Sequence, residues 1–231
     1  MLVLSFILLM INPAWAGRLA DLIVVDSVTG QTLPIYNHRG KMYVAGEAGR
    51  EYNLIVKNKT PGKVLAIVSI DGLNVINGRN ASFDSPGYVV DHHSRVNIAG
   101  WRKNMSEVAK FYFTYPEDSL AARTNRGQNM GVIGVAIFKE KQPEIYLEGP
   151  QGLSMEKRQN AAPGAARSDL GTGHGTIEHA PARRTEFEKE SSKPQEVISI
   201  YYESRASLIK KGIIKVDCTP SPFVELNNCY Y

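Results

Sequence analysis

The sequence predicts a mainly β fold, an antiparallel β-sandwich with a small C-terminal strand-helix-strand appendage. Three observations carry that expectation. Apolar and polar side chains alternate along several short segments, most clearly in 51–58, where Tyr52, Leu54 and Val56 share one face. Turn-forming Gly, Pro, Asn and Asp recur at roughly the eight-to-twelve-residue spacing of a sandwich. In the first part of the chain only 116–123 reads as a helix, its first turn carrying Glu117 and Asp118 where the helix dipole favours acids. A partly open barrel is the alternative arrangement of the same strands.

Taken in order, 22–25 is apolar and β-branched and leads to the turn at Thr29-Gly30. Segment 40–44 alternates and stops at Gly46, and 51–58 follows. Thr60-Pro61-Gly62-Lys63 is a strong turn into 64–70, apolar enough for a central strand covered on both sides. Asp71-Gly72 and Asn77-Gly78 read as further turns, and 94–101, 108–114 and 131–138 as three more strands. Beyond Lys139 the composition changes. Residues 149–182 are rich in Gly, Ala, Pro and Arg with almost no large apolar side chains, so they predict a flexible segment. Structure resumes with the alternation of 184–190 and the strand 196–203. A short helix from Ser204 through Lys211 ends at Gly212, and 213–216 makes a last strand.

The chain opens with an apolar run over 2–11, then Pro13 and the small-x-small ending Ala14-Trp15-Ala16. That pattern predicts a secretory signal peptide, residues 1–16, and a periplasmic, cell-surface or secreted mature chain. The run is shorter than the about 20 apolar residues a transmembrane helix needs, so no membrane span is expected in the mature chain. The expected organisation is then a sandwich domain over 17–148, the flexible segment 149–182, and the appendage 183–231. In an oxidising compartment Cys218 and Cys229 pair most simply with each other and tie down the tail, worth about 2–3 kcal/mol for so short a loop.

Residues 17–140 hold 15 Lys and Arg against 11 Asp and Glu, and the rest of the chain is balanced. So scattered an excess argues against nucleic acid as a partner. The segments 69–75 (SIDGLNV), 99–103 (AGWRK), 131–136 (GVIGVA) and 170–175 (LGTGHG) together resemble uncharacterised exported proteins of Gram-negative bacteria, over about residues 50–216. The resemblance implies an envelope location and assigns no catalytic residue.

No motif with a built-in reaction stands out. The glycines of 171–175 lack the strand-turn-helix spacing of a phosphate loop and predict close backbone packing instead. Asp91-His92-His93-Ser94 has metal-ligand chemistry, but neighbouring residues of a strand face opposite ways, so a solvated turn is expected and no metal. Ser94, His92 and Asp84 could be written as a triad, yet no nucleophile elbow appears. Asp71, Asp84, Asp91 and Glu107 supply carboxylates without a spacing that singles out a pair.

Aromatic residues offer the remaining candidates. Trp101, Phe111, Phe113 and Tyr201 are expected to fill the interior. Should Trp101 instead lie exposed with Arg102, Tyr112 and Arg126, and with His174 nearby, those five residues would form a binding patch. The expectation is an exported, non-enzymatic binding or structural component of the envelope, without cofactor, whose partner is an envelope protein or a second copy. The alternative is a periplasmic hydrolase acting on an envelope polymer.

Overall fold

A computed structural model describes residues 18–126, 129–142 and 168–215. The expected signal peptide and both cysteines lie outside the described residues. The described chain is mainly β, with two sheets and a few short helices. Its strands are β1 (Ala20–Asp26), β2 (Ile35–His38), β3 (Lys41–Gly46), β4 (Glu51–Asn58), β5 (Val64–Ile70), β6 (Leu73–Asn74) and β7 (Tyr88–Val90). They continue with β8 (Arg95–Ile98), β9 (Gly100–Arg102), β10 (Glu107–Thr114), β11 (Val132–Lys139), β12 (Gly171–His179) and β13 (Glu196–Ser204). The first sheet runs β1-β4-β10-β12, with β8 on β4 and β9 on β10. The second runs β2-β3-β13-β11-β5-β6, with β7 on β5.

Alternation dictates which side chains are buried. Along β4, Tyr52, Leu54 and Val56 are fully buried while Glu51, Asn53 and Ile55 are only partly covered. One buried cluster includes Tyr52, Leu54, Phe111 and Phe113 of the first sheet and Val44, Ile70, Ile133, Ile200 and Tyr202 of the second. Each such side chain contributes roughly 1.5–3 kcal/mol by leaving water. A smaller cluster of Leu65, Ile67, Ala136 and Phe138 lies apart, with Phe187 packed on it. β5 therefore buries both of its faces, as its unbroken apolar run requires.

Several expectations change in three dimensions. The strand expected at 94–101 is interrupted at Ala99 and splits into β8 and β9, which pair with different neighbours. The brief helix becomes a 3-10 turn, Pro116–Asp118, followed by α1 (Leu120–Arg123), whose first turn is capped by the Ser119 hydroxyl. Residues 171–179, included in the expected flexible segment, form β12 and pair with β10 along its length.

The appendage is also corrected. β13 sits between β3 and β11, inside the second sheet, and its pairing with β3 is parallel. That parallel pair departs from the all-antiparallel expectation. α2 (Arg205–Lys210) follows at once, but 213–215 form no strand; Ile214 is buried and its amide reaches the Leu208 carbonyl. The start of β13 is also bound to the start of β1. The Glu196 carboxylate accepts the backbone N–H groups of Arg18, Leu19 and Ala20.

Candidate functional site

Gly100-Trp101-Arg102 pairs with β10 through Trp101 opposite Ala109 and Arg102 opposite Val108. Adjacent strand residues face opposite sides, so the indole and the guanidinium separate. Trp101 is 3% exposed, its ring edge-on to Phe111 at 5.3 Å, and its Nε1 donates to the Gly173 carbonyl at 2.9 Å. An exposed patch built on Trp101 is therefore excluded: its ring and its only polar atom are both used inside.

Arg102 goes the other way and lines an open cleft of ≈ 390 Å³ with Tyr88, Asn97, Glu178, His179 and Pro181. Its Nη1 donates to the Ala180 carbonyl at 2.5 Å and more weakly to that of Asn104 at 3.4 Å. Nη2 donates to the Tyr88 hydroxyl at 3.4 Å, and the guanidinium lies 5.9 Å from the centre of that ring. Nε is enclosed and has no acceptor among the described residues. Each oxygen that meets this cation is neutral. Its charge holds the segment after β12 against the β9–β10 hairpin, where Ala180 and Ala182 donate to the carbonyls of Ser106 and Met105.

A second polar group lies buried. Asp71 is 1% exposed and adopts φ = 54°, the left-handed region that a short polar side chain tolerates. Its Oδ1 accepts the Gly131 N–H at 2.8 Å and the Tyr202 hydroxyl at 2.6 Å; its Oδ2 accepts the Thr172 N–H at 2.7 Å. The chain continues from Tyr202 to the Thr172 hydroxyl at 2.8 Å and on to the Tyr52 hydroxyl at 2.7 Å. Tyr52 and Thr172 belong to the first sheet, Tyr202 to the second. Burial raises the Asp71 pKa from 3.8 to about 6 against those donors, and burial lifts both tyrosines well above the usual phenol value. Its donors are protein groups throughout, which makes it a fastening between sheets.

The other expected site residues are used separately. Tyr112 lies opposite Gly173, where an added Cβ would stand 2.2 Å from the Tyr112 ring, so the glycine is required by close approach. Gly171 is pressed against Ser119 in the same way. Arg126 donates to the Gly78 carbonyl at 2.8 Å. His174 is half-buried opposite Phe111; burial first, then Lys103 and Arg123, lower its pKa. His92 and His93 occupy a turn, with His93 at φ = 50°, and both are exposed. Among the described residues no group of His, Asp and Glu could hold a metal ion. Of the four carboxylates noted above, Asp71 is buried, while Asp84, Asp91 and Glu107 are exposed.

Three participants carry no signal in the sequence, Tyr88 and Glu178 at the cleft and Thr172 in the buried chain; His179, which the sequence offers only as a weak metal ligand, lines the cleft instead. The interior place expected for Tyr201 belongs to Tyr202; Tyr201 is partly exposed beneath the Lys41 ammonium at 4.7 Å. Comparison with protein-family models, with curated proteins and with solved structures finds no match.

Proposed function

We propose that this is an exported, non-enzymatic β-sandwich protein that binds an envelope protein or a second copy of itself through the edge of the first sheet at β12. The shared buried cluster and the Asp71 fastening support two sheets packed face to face. The observation that carries the binding reading is the position of β12. It ends the first sheet, and among the described residues its only strand partner is β10. Its first half is buried, Gly171 lying against Ser119, but Thr176, Ile177 and His179 are exposed, with Ile177 54% open to solvent. An uncapped edge of this kind pairs with an incoming strand through main-chain hydrogen bonds, while alternate side chains select the partner.

The test is a photocrosslinker at position 176 of the full chain in envelope extract, combined with the mass of the purified protein in solution. The reading expects one crosslinked product, a heteromer or a dimer, that disappears with Ile177→Lys. Uncrosslinked monomer under both conditions would overturn it. N-terminal sequencing of the exported protein should begin at Gly17.

A further inference from the structure

Val108 pairs with Arg102 on one side and Glu178 on the other, so Arg102, Val108 and Glu178 stand in one row across β9, β10 and β12. Two strand spacings place the Cα atoms of Arg102 and Glu178 roughly 10 Å apart, and residues in register send their side chains to one face. Val108, between them, is 1% exposed. Both charged side chains line the cleft. Among the described residues the guanidinium meets only neutral oxygens. The Glu178 side chain is 41% exposed, and the ion-pair partner of its carboxylate, Lys110 at 3.6 Å, lies closer to Glu51 at 3.0 Å. Thus the cleft presents opposite charges on two walls, each incompletely neutralised by the protein.

The details specify a ligand. Nε and Nη2 form the side-on fork of a guanidinium, whose spacing matches the two oxygens of a carboxylate. Nη2 has only a long bond to Tyr88 and takes one ligand oxygen; Nε, enclosed and without an acceptor among the described residues, completes the fork once the side chain shifts to admit the second. Glu178 offers a site for an ammonium group and repels a dianion such as phosphate. Val96, Ala99, Ala180 and Pro181 leave small apolar walls beside the charges. The geometry points to a binding site for a small zwitterion, an α-amino acid or dipeptide with a small side chain, its carboxylate on Arg102 and its ammonium on Glu178. The site takes the Glu178 side chain from β12 but not the free main-chain edge of that strand, so it stands whether or not a protein partner is found.

The test titrates the full chain with L-alanine, D-alanine, alanyl-alanine, N-acetylalanine, alaninamide and inorganic phosphate, followed by calorimetry and amide chemical shifts. Saturable binding is expected for a free alanine or the dipeptide, and roughly tenfold weaker binding for N-acetylalanine, alaninamide and phosphate. Because Arg102 also clamps Ala180, Glu178→Gln is the primary variant. It should weaken alanine roughly tenfold and leave N-acetylalanine unchanged, a pattern that general loss of structure does not produce. Arg102→Lys should weaken the free amino acid while sparing alaninamide. Whichever of alanine and alanyl-alanine binds more tightly identifies the ligand length. Absence of saturation at about 10 mM, equal binding of alanine and N-acetylalanine, or equal losses for both in Glu178→Gln would overturn the proposal.

Discussion

The Asp71 chain and the Arg102 cleft are both polar, both join segments far apart in sequence, and they are completed differently. Around Asp71 each hydroxyl and amide has a protein partner, and the carboxylate closes a line of hydrogen bonds running from one sheet to the other. Around Arg102 the partners are one distant carbonyl, one local carbonyl and a phenol, and among the described residues one N–H is left over and no countercharge is paired with it. A buried polar network is worth most when every member is satisfied. A charge met by neutral groups at a surface cleft is instead available for recognition. The contrast separates a structural use of charge from the binding use proposed for the cleft.

The largest effect should come from Asp71→Ala. It strands the Gly131 and Thr172 N–H groups and the Tyr202 hydroxyl, and it leaves alanine at a positive φ, for a loss of about 3–5 kcal/mol in denaturant unfolding. A loss below about 1 kcal/mol would break the comparison at its stronger end.

Next in size is a dependence on pH. The folded Asp71 pKa, about 6, lies above the ordinary 3.8, so the folded state holds its proton more tightly. Its contribution is complete below 3.8 and is lost as pH rises through about 6; the gap corresponds to about 3 kcal/mol. Asp26 works in the opposite sense. The Thr29 backbone N–H, partly opposed by burial and assisted by Arg50, lowers its pKa, so that contribution is lost only as pH falls below the ordinary value. Between pH 7 and 4.5 His174, whose pKa burial lowers, costs stability on acidification and opposes Asp71, so the difference in unfolding between wild type and Asp71→Asn isolates the carboxyl: wild type should gain stability relative to the variant as pH falls.

Thr172→Val keeps the shape but removes the hydroxyl that both tyrosines share, and about 1–2 kcal/mol should be lost. Arg102→Met should be the mildest change, within about 1 kcal/mol, because deleting the guanidinium also deletes its unsatisfied N–H. If thermal unfolding showed Arg102→Met to be as damaging as Asp71→Ala, the two regions would not differ in kind.

Much of the strand content was legible. β3, β4, β5, β10 and β11 follow their alternation or apolar runs, and Asp71-Gly72 forms the turn its composition predicts. β12 was not legible, because its glycines carry no hydrophobic signal; they exist to admit Tyr112 and Ser119 against the backbone. The role of β13 was hidden for another reason. Its alternation identifies a strand, yet nothing local says that residues 196–204 insert between β3 and β11. Tyr201 and Tyr202 pose the same difficulty on a smaller scale, since a shift of one residue exchanges the two faces. At the cleft Arg102 was singled out, but together with Trp101, and the strand period sends the two apart.

The sequence by itself determined most local conformations, with β12, the break at Ala99 and residues 213–215 as exceptions: which segments extend, where the chain turns, and which side chains share a face. Those follow from backbone sterics and the two-residue period, both short-range. Tertiary structure alone decided that Asp71 is buried beneath Tyr202, that Glu178 stands in line with Arg102, and that β13 lies at the heart of a sheet. Strand pairing brings together residues far apart in the chain, Val108 with Glu178 and Val44 with Tyr202, and the burial of a charge depends on everything packed around it.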